Sequence, residues 1–87
     1  MTRDDVLQLV REHLADELEL DEAEILESSR FKEDLGADSL DLYTLTQELQ
    51  DTYGVVIPEQ DAVELLTVGL AVDYVAARAG ETPLADR

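Results

Sequence analysis

Apolar side chains recur at three- and four-residue spacing in three separate stretches of this chain, a period that selects helices. In the first, Val6, Leu7, Val10, Leu14 and Leu18 form one stripe, with Leu9 off to one side. In the second, Leu42, Leu45, Leu49 and Tyr53 share a face, with Thr46 beside it. In the third, Val68, Ala71, Val72 and Val75 keep the period, with Tyr74 alongside. Capping residues set the ends. Thr2 starts a helix over about 3–17, and Asp38 starts one over 39–53 that Gly54 ends. Thr67 caps the last helix and Gly80 ends it, with Arg78 near the negative end of its dipole. Gly69 is a poor helix former, about 1 kcal/mol worse than Ala in a helix interior and less near an N-terminus.

The remaining segments are connections. Residues 19–37 form a long one, anchored by Leu20, Ile25, Phe31 and Leu35, with a short helical turn at 21–24. Phe31 is the only phenylalanine and is expected to be buried. Val55, Val56 and Ile57 are too few and too isolated to pair as a strand. Pro58 suits the start of a short helix over 59–65, with Ala62, Leu65 and Leu66 as its apolar side. If Thr46 is buried, its hydroxyl must bond a carbonyl one turn back, that of Leu42. At 87 residues the chain is one domain. The expected fold is all-α: a small four-helix bundle of three main helices, one short helix and a long first loop. It occupies residues 1–80, followed by a disordered polar tail at 81–87.

The segment Leu35-Gly36-Ala37-Asp38-Ser39-Leu40-Asp41 places one hydroxyl at a helix start. Gly36 lets the backbone turn, and Asp38 can accept the orphan N–H groups of the first turn, with Asp41 three residues on as in a capping box. Ser39 then lies at the positive end of the helix dipole, a setting that favours a phosphate ester by about 0.3–1 kcal/mol if exposed. Asp38 and Asp41 oppose that effect and suit recognition by a basic partner. Taken by itself, an Asp-Ser pair is an ordinary helix start.

This segment resembles the prosthetic-group attachment motif of acyl carrier proteins, whose serine carries 4′-phosphopantetheine as a phosphodiester. The resemblance extends over about 6–77. Phe31 and Glu33-Asp34-Leu35 precede the motif, Ile57-Pro58-Glu59 closes the next loop, and Thr67-Val68 with Asp73-Tyr74 marks the last helix. It implies that a phosphopantetheinyl transferase loads Ser39 from coenzyme A and that the arm's thiol holds acyl groups as thioesters. It implies a recognition face of Asp38, Leu40, Asp41, Tyr43, Gln47, Glu48 and Asp51. It also implies an acyl pocket drawing on Phe31, Leu49, Ile57, Ala62, Leu65, Ala71 and Tyr74. The glycine-alanine-aspartate-serine form looks more like carriers of fatty-acid or polyketide synthesis than like peptidyl or D-alanyl carriers, which share the chemistry and differ in cargo. Tyr43, Thr44 and Gln47 depart from the usual fatty-acid pattern, where a small aliphatic residue, a glutamate and a methionine are common. Those departures point to a specialised carrier.

Composition narrows the alternatives. There is no cysteine, so no disulfide, no cysteine–zinc site and no thiol of the chain's own. The single histidine, His13, reads as a solvated or satisfied helix residue. No nucleophile–base pair, glycine-rich phosphate loop or metal-ligand cluster is present, so no enzyme is expected. The formal net charge is −16, and no Lys or Arg occurs between Lys32 and Arg78. Such a charge repels nucleic acid and steers basic partners at long range. It also supports a rival reading, an acidic protein that mimics nucleic-acid charge, although that reading gives Ser39 no purpose. No stretch has the alternating acidic ligands and central glycine of a Ca²⁺ loop, which leaves weak divalent binding around Asp34, Asp38 and Asp41. With no long apolar span and no signal-peptide pattern, the expectation is a cytoplasmic monomer that does not insert into membranes. Its partners would be acyl-transferring and chain-extending enzymes with basic docking surfaces.

Overall fold

A computed structural model describes residues 2–81. Helix α1 spans Arg3–Leu18, α2 Ser39–Tyr53, α3 Glu59–Ala62 and α4 Val68–Glu81. A 3-10 turn, Glu22–Glu24, interrupts the long first connection. Among the described residues there is no strand, only an isolated antiparallel bridge between Arg30 and Thr67.

Sequence chemistry accounts for the helix ends. Thr2 Oγ1 accepts the Asp5 N–H at 3.2 Å, and the Asp5 carboxylate accepts the Thr2 N–H at 3.0 Å, a reciprocal capping box. The α1 helix runs one residue beyond the expected end and closes through Glu19 in the left-handed region, φ 57°. Gly54, at φ 68°, closes α2 as expected of a glycine there. The α4 helix passes through Gly80 to Glu81 and does not end at the glycine. The expected disordered tail lies outside the described residues from 82 onward.

The core lies where the three stripes meet. Val6, Val10 and Leu14 of α1, Leu45 and Leu49 of α2, and Val68, Ala71, Val72 and Val75 of α4 are buried. Leu7, Leu18, Leu42 and Tyr53 pack against this core from partly exposed positions. The α1 helix packs most extensively on α4, then on α2. Burying a side chain of this size contributes about 1.5–3 kcal/mol relative to leaving it in water.

The long connection is tied down more firmly than its apolar anchors alone required. Ile25 and Phe31 are buried, as expected. Beyond them, its backbone is stitched to the start of α4. Phe31 N–H donates to Leu66 O, Val68 N–H to Ser29 O, and Gly69 N–H to Glu27 O, at 3.0, 3.0 and 2.8 Å. Arg3 of α1 adds ion pairs to Glu27, at 2.6 Å, and to Asp73 of α4.

Three local expectations are corrected. The third helix is four residues, not seven. Past Ala62 the backbone bonds tighten to the i→i−3 pattern, with Glu64 N–H on Asp61 O and Leu65 N–H on Ala62 O. Leu66 therefore points outward and is 61% exposed. The Thr46 hydroxyl donates to Tyr43 O at 2.8 Å, three residues back and not to Leu42. His13 is neither solvated nor satisfied at Nε2, which is buried without a hydrogen-bond partner among the described residues.

Candidate functional site

The turn before α2 is built from backbone bonds. Asp34 N–H and Leu35 N–H donate to Arg30 O, Gly36 N–H to Lys32 O, and Ala37 N–H to Phe31 O at 2.8 Å. Gly36 supplies the left-handed residue, φ 71°, that reverses the chain. No heavy atom lies within 4 Å of where its Cβ would be, so the requirement there is conformational rather than steric. Arg30 closes the turn on Asp34, with Nε–Oδ2 at 3.2 Å, and this contact holds the Asp34 carboxyl below its usual range. Buried Ala37 and Phe31 fix the turn to the core.

Helix α2 then begins with a second reciprocal capping box. Asp38 Oδ1 accepts the Asp41 N–H at 2.9 Å, and the Asp41 carboxylate accepts the Asp38 N–H at 3.1 Å. The Asp41 N–H is the main cause that keeps Asp38 ionised to lower pH than an ordinary aspartate. Ser39 is the first residue of the helix and is exposed. Its hydroxyl bonds no described residue. It stands free in solvent with its oxygen available, and no histidine or lysine is hydrogen-bonded to it to raise its nucleophilicity.

Ser39 also lines a cavity of about 620 Å³, within the range of small-molecule sites. Phe31, Leu42, Leu45, Leu49, Ile57 and Ala62 line its apolar walls, joined by Leu65, Leu66 and Ala71. Six of the seven residues expected at an acyl pocket are therefore brought together here. Tyr74 is not among them. Its hydroxyl donates to Asp61 at 2.7 Å, tying α4 to α3, and the Arg78 guanidinium lies 3.7 Å over its ring.

The face expected to meet partners runs along α2. Asp38, Leu40, Tyr43, Glu48 and Asp51 are exposed, Leu40 by 67% and Tyr43 by 60%. Asp41 and Gln47 are half-buried, Asp41 through its cap and Gln47 because it lines the cavity. No Lys or Arg pairs with Asp41, Glu48 or Asp51 among the described residues. Val63, 67% exposed, and Leu66 extend the apolar part of this surface across the cavity mouth. Sequence reasoning missed this extension. Its available signal was three apolar residues, Val63, Leu65 and Leu66, crowded into a segment too short to bury them all. It also missed Thr46 and Gln50 as lining residues, because their placement depends on how α2 is rotated against α4. No group of three or more His, Cys, Asp or Glu that could hold a metal occurs among the described residues. No helix among them is long and apolar enough to cross a membrane.

Comparison with known proteins agrees with this geometry. The family model of the phosphopantetheine attachment site matches residues 8–75. An acyl carrier protein of Rubrobacter xylanophilus is 47% identical over 75 residues, covering 86% of this chain and 93% of that protein. The solved structure of the acyl carrier protein of Enterococcus faecalis superposes with a TM-score of 0.78 at 35% identity, covering 90% of this chain and 99% of that one.

Proposed function

This chain belongs to the phosphopantetheine-attachment family of acyl carrier proteins, and from that premise we propose that Ser39 is its attachment point, the exposed face of α2 its docking surface and the cavity its shelter for the acyl chain. Its prosthetic group is 4′-phosphopantetheine, which supplies a terminal thiol that holds acyl groups as thioesters. The observation that carries the assignment is an unbonded serine hydroxyl at a helix start on the rim of a 620 Å³ cavity.

The residues present fit that group. Ser39 Oγ would take the 4′-phosphopantetheinyl group of coenzyme A: the Oγ–P bond forms, the pyrophosphate bond of coenzyme A breaks, and adenosine 3′,5′-bisphosphate leaves. The hydroxyl proton goes to a base of the transferase, since no base among the described residues is hydrogen-bonded to Ser39. The chain acts as a carrier rather than a catalyst. Its contribution is position: Gly36 and the Asp38–Asp41 cap hold the serine outward, and Phe31 and Leu49 receive the cargo away from water. The cargo class is a fatty-acid or polyketide intermediate.

Asp41, Glu48 and Asp51, with no Lys or Arg paired to them among the described residues, surround Leu40 and Tyr43 and suit a basic groove with an apolar centre. The reading is tested by initial rates of transferase loading for the wild type and the double variant Glu48→Lys/Asp51→Lys, at about 0.02 M and about 0.2 M salt. The wild type is expected to load faster and to slow with salt, and the variant to be slow and nearly salt-independent. Equal rates with equal salt dependence would remove the α2 face as the docking surface.

A further inference from the structure

The wall that α2 gives to the cavity is only partly apolar: beside Leu42, Leu45 and Leu49 it carries a polar stripe. Tyr43, Gln47 and Gln50 stand at i, i+4 and i+7 on one stripe, about 10 Å from end to end at ~1.5 Å per residue, with Thr46 between them. All four line the cavity. Their hydrogen-bonding capacity is unequally used. Thr46 spends its hydroxyl proton on Tyr43 O, and Gln50 Oε1 accepts the Ile57 N–H at 2.9 Å. The Gln47 amide, the Gln50 NH₂ and the Tyr43 hydroxyl donate to no described residue.

A pocket for a plain alkyl chain gains nothing from such groups, because covering a polar group without giving it a partner is unfavourable. A chain with oxygen atoms along its length would supply those partners and would itself be penalised in a purely apolar pocket. The charged side chains at the lining cancel, Arg30 and Lys32 against Glu33 and Glu59. They give no reason for an ionised chain. The unspent donors are neutral, and they match neutral acceptors.

We propose that this cavity favours acyl chains bearing carbonyl or hydroxyl groups in mid-chain, beyond the β-carbon, with Gln47 as the residue that reads them and Gln50 as its neighbour one turn on. The proposal rests on the cavity being the acyl shelter and Ser39 the tether. It gives the departures at Tyr43 and Gln47 a common purpose, since both residues line the cavity.

The test uses two chains of equal length, one saturated and one with a mid-chain keto group. A broad-specificity transferase loads each from its acyl-coenzyme A onto the wild type and onto Gln47→Leu. Intact mass reports loading. The rate of thioester cleavage by hydroxylamine, relative to the same thioester on free pantetheine, reports shelter. In the wild type the keto chain is expected to be sheltered at least as well as the saturated one. In Gln47→Leu its shelter falls about fivefold, the equivalent of one net neutral hydrogen bond, while the saturated chain keeps its own. Better shelter of the saturated chain in the wild type overturns the proposal whether or not the variant folds. Equal losses for both chains in the variant also overturn it. Chains that load and are both unprotected overturn it together with the shelter reading, and failure to load overturns the tether reading beneath both.

Discussion

At Asp38 the carboxylate accepts the Asp41 N–H, and this contact holds its pKa below the ordinary aspartate range. Glu27, hydrogen-bonded to Arg3, and Asp34, hydrogen-bonded to Arg30, are lowered in the same way. A carboxylate whose folded pKa is depressed stabilises the fold above its unfolded value, and that contribution is lost as pH falls through the folded value. The acid limb of the stability curve should therefore carry these three groups. Asp38→Asn keeps a capping oxygen and removes the proton-binding step. Thermal melts should fall below the wild type near pH 7, where ionised Asp38 contributes, and lose less stability between about pH 4 and 2, where aspartates titrate. An unchanged acid limb would show that the Asp38 contact does not differ between the folded and unfolded states. Gly36, Asp38 and Ser39 were legible in the sequence because their chemistry is local: a turn, a cap and a first-turn hydroxyl all fall within four positions. Gln50 was not legible, because its role depends on Ile57 and on a cavity that four segments close.

Among the elements, α1 and α2 were readable almost to the residue, since period and caps agree at both ends. The seam between the first connection and α4 was not. It consists of backbone bonds from Glu27, Ser29 and Leu66, which leave no side-chain pattern to read. Gly69 is its one trace. A Cβ there would lie 3.1 Å from the Glu27 carbonyl oxygen, tighter than nine in ten real contacts. What looks from the sequence like a weak helix residue is thus a point of close approach between loop and helix. Gly69→Ala should accordingly forfeit the gain of about 1 kcal/mol that Ala brings to a helix and lower the melting temperature. A rise of several degrees would mean that the seam yields easily. The shortness of α3 has a similar origin. Pro58 marks its start, but nothing local marks its end, and Asp61 ties it to α4 through the Tyr74 hydrogen bond and a longer ion pair to Arg78. Tyr74→Phe should speed amide hydrogen exchange in α3 while leaving α1 unchanged. Exchange raised equally in both helices would indicate global destabilisation instead of a released tie.

For the molecule as a whole, a charge of −16 is spread over extents of 38 × 26 × 19 Å. At about 0.01 M salt the Debye length is ~30 Å, so carboxylates interact across the whole body, whereas at about 0.15 M it is ~8 Å and only neighbours do. Self-repulsion opposes the compact state. Raising sodium chloride over this range should lift the melting temperature by about 5 °C, corresponding to roughly 1 kcal/mol in a domain of this size. A temperature independent of salt would mean that local pairing already offsets the excess charge. Such a charge attracts basic partners at long range, an effect that serves the proposed function only if Ser39 is the point those partners act on. The most direct test is the mass of the protein after incubation with coenzyme A and a broad-specificity phosphopantetheinyl transferase, followed by cleavage after Glu33 and Glu48. The peptide 34–48 contains one serine, Ser39. The wild type should gain the mass of one phosphopantetheine on that peptide, and Ser39→Ala should gain none. A gain elsewhere, a gain retained in Ser39→Ala, or no gain with a transferase that loads a control carrier would contradict the assignment of Ser39 as the tether.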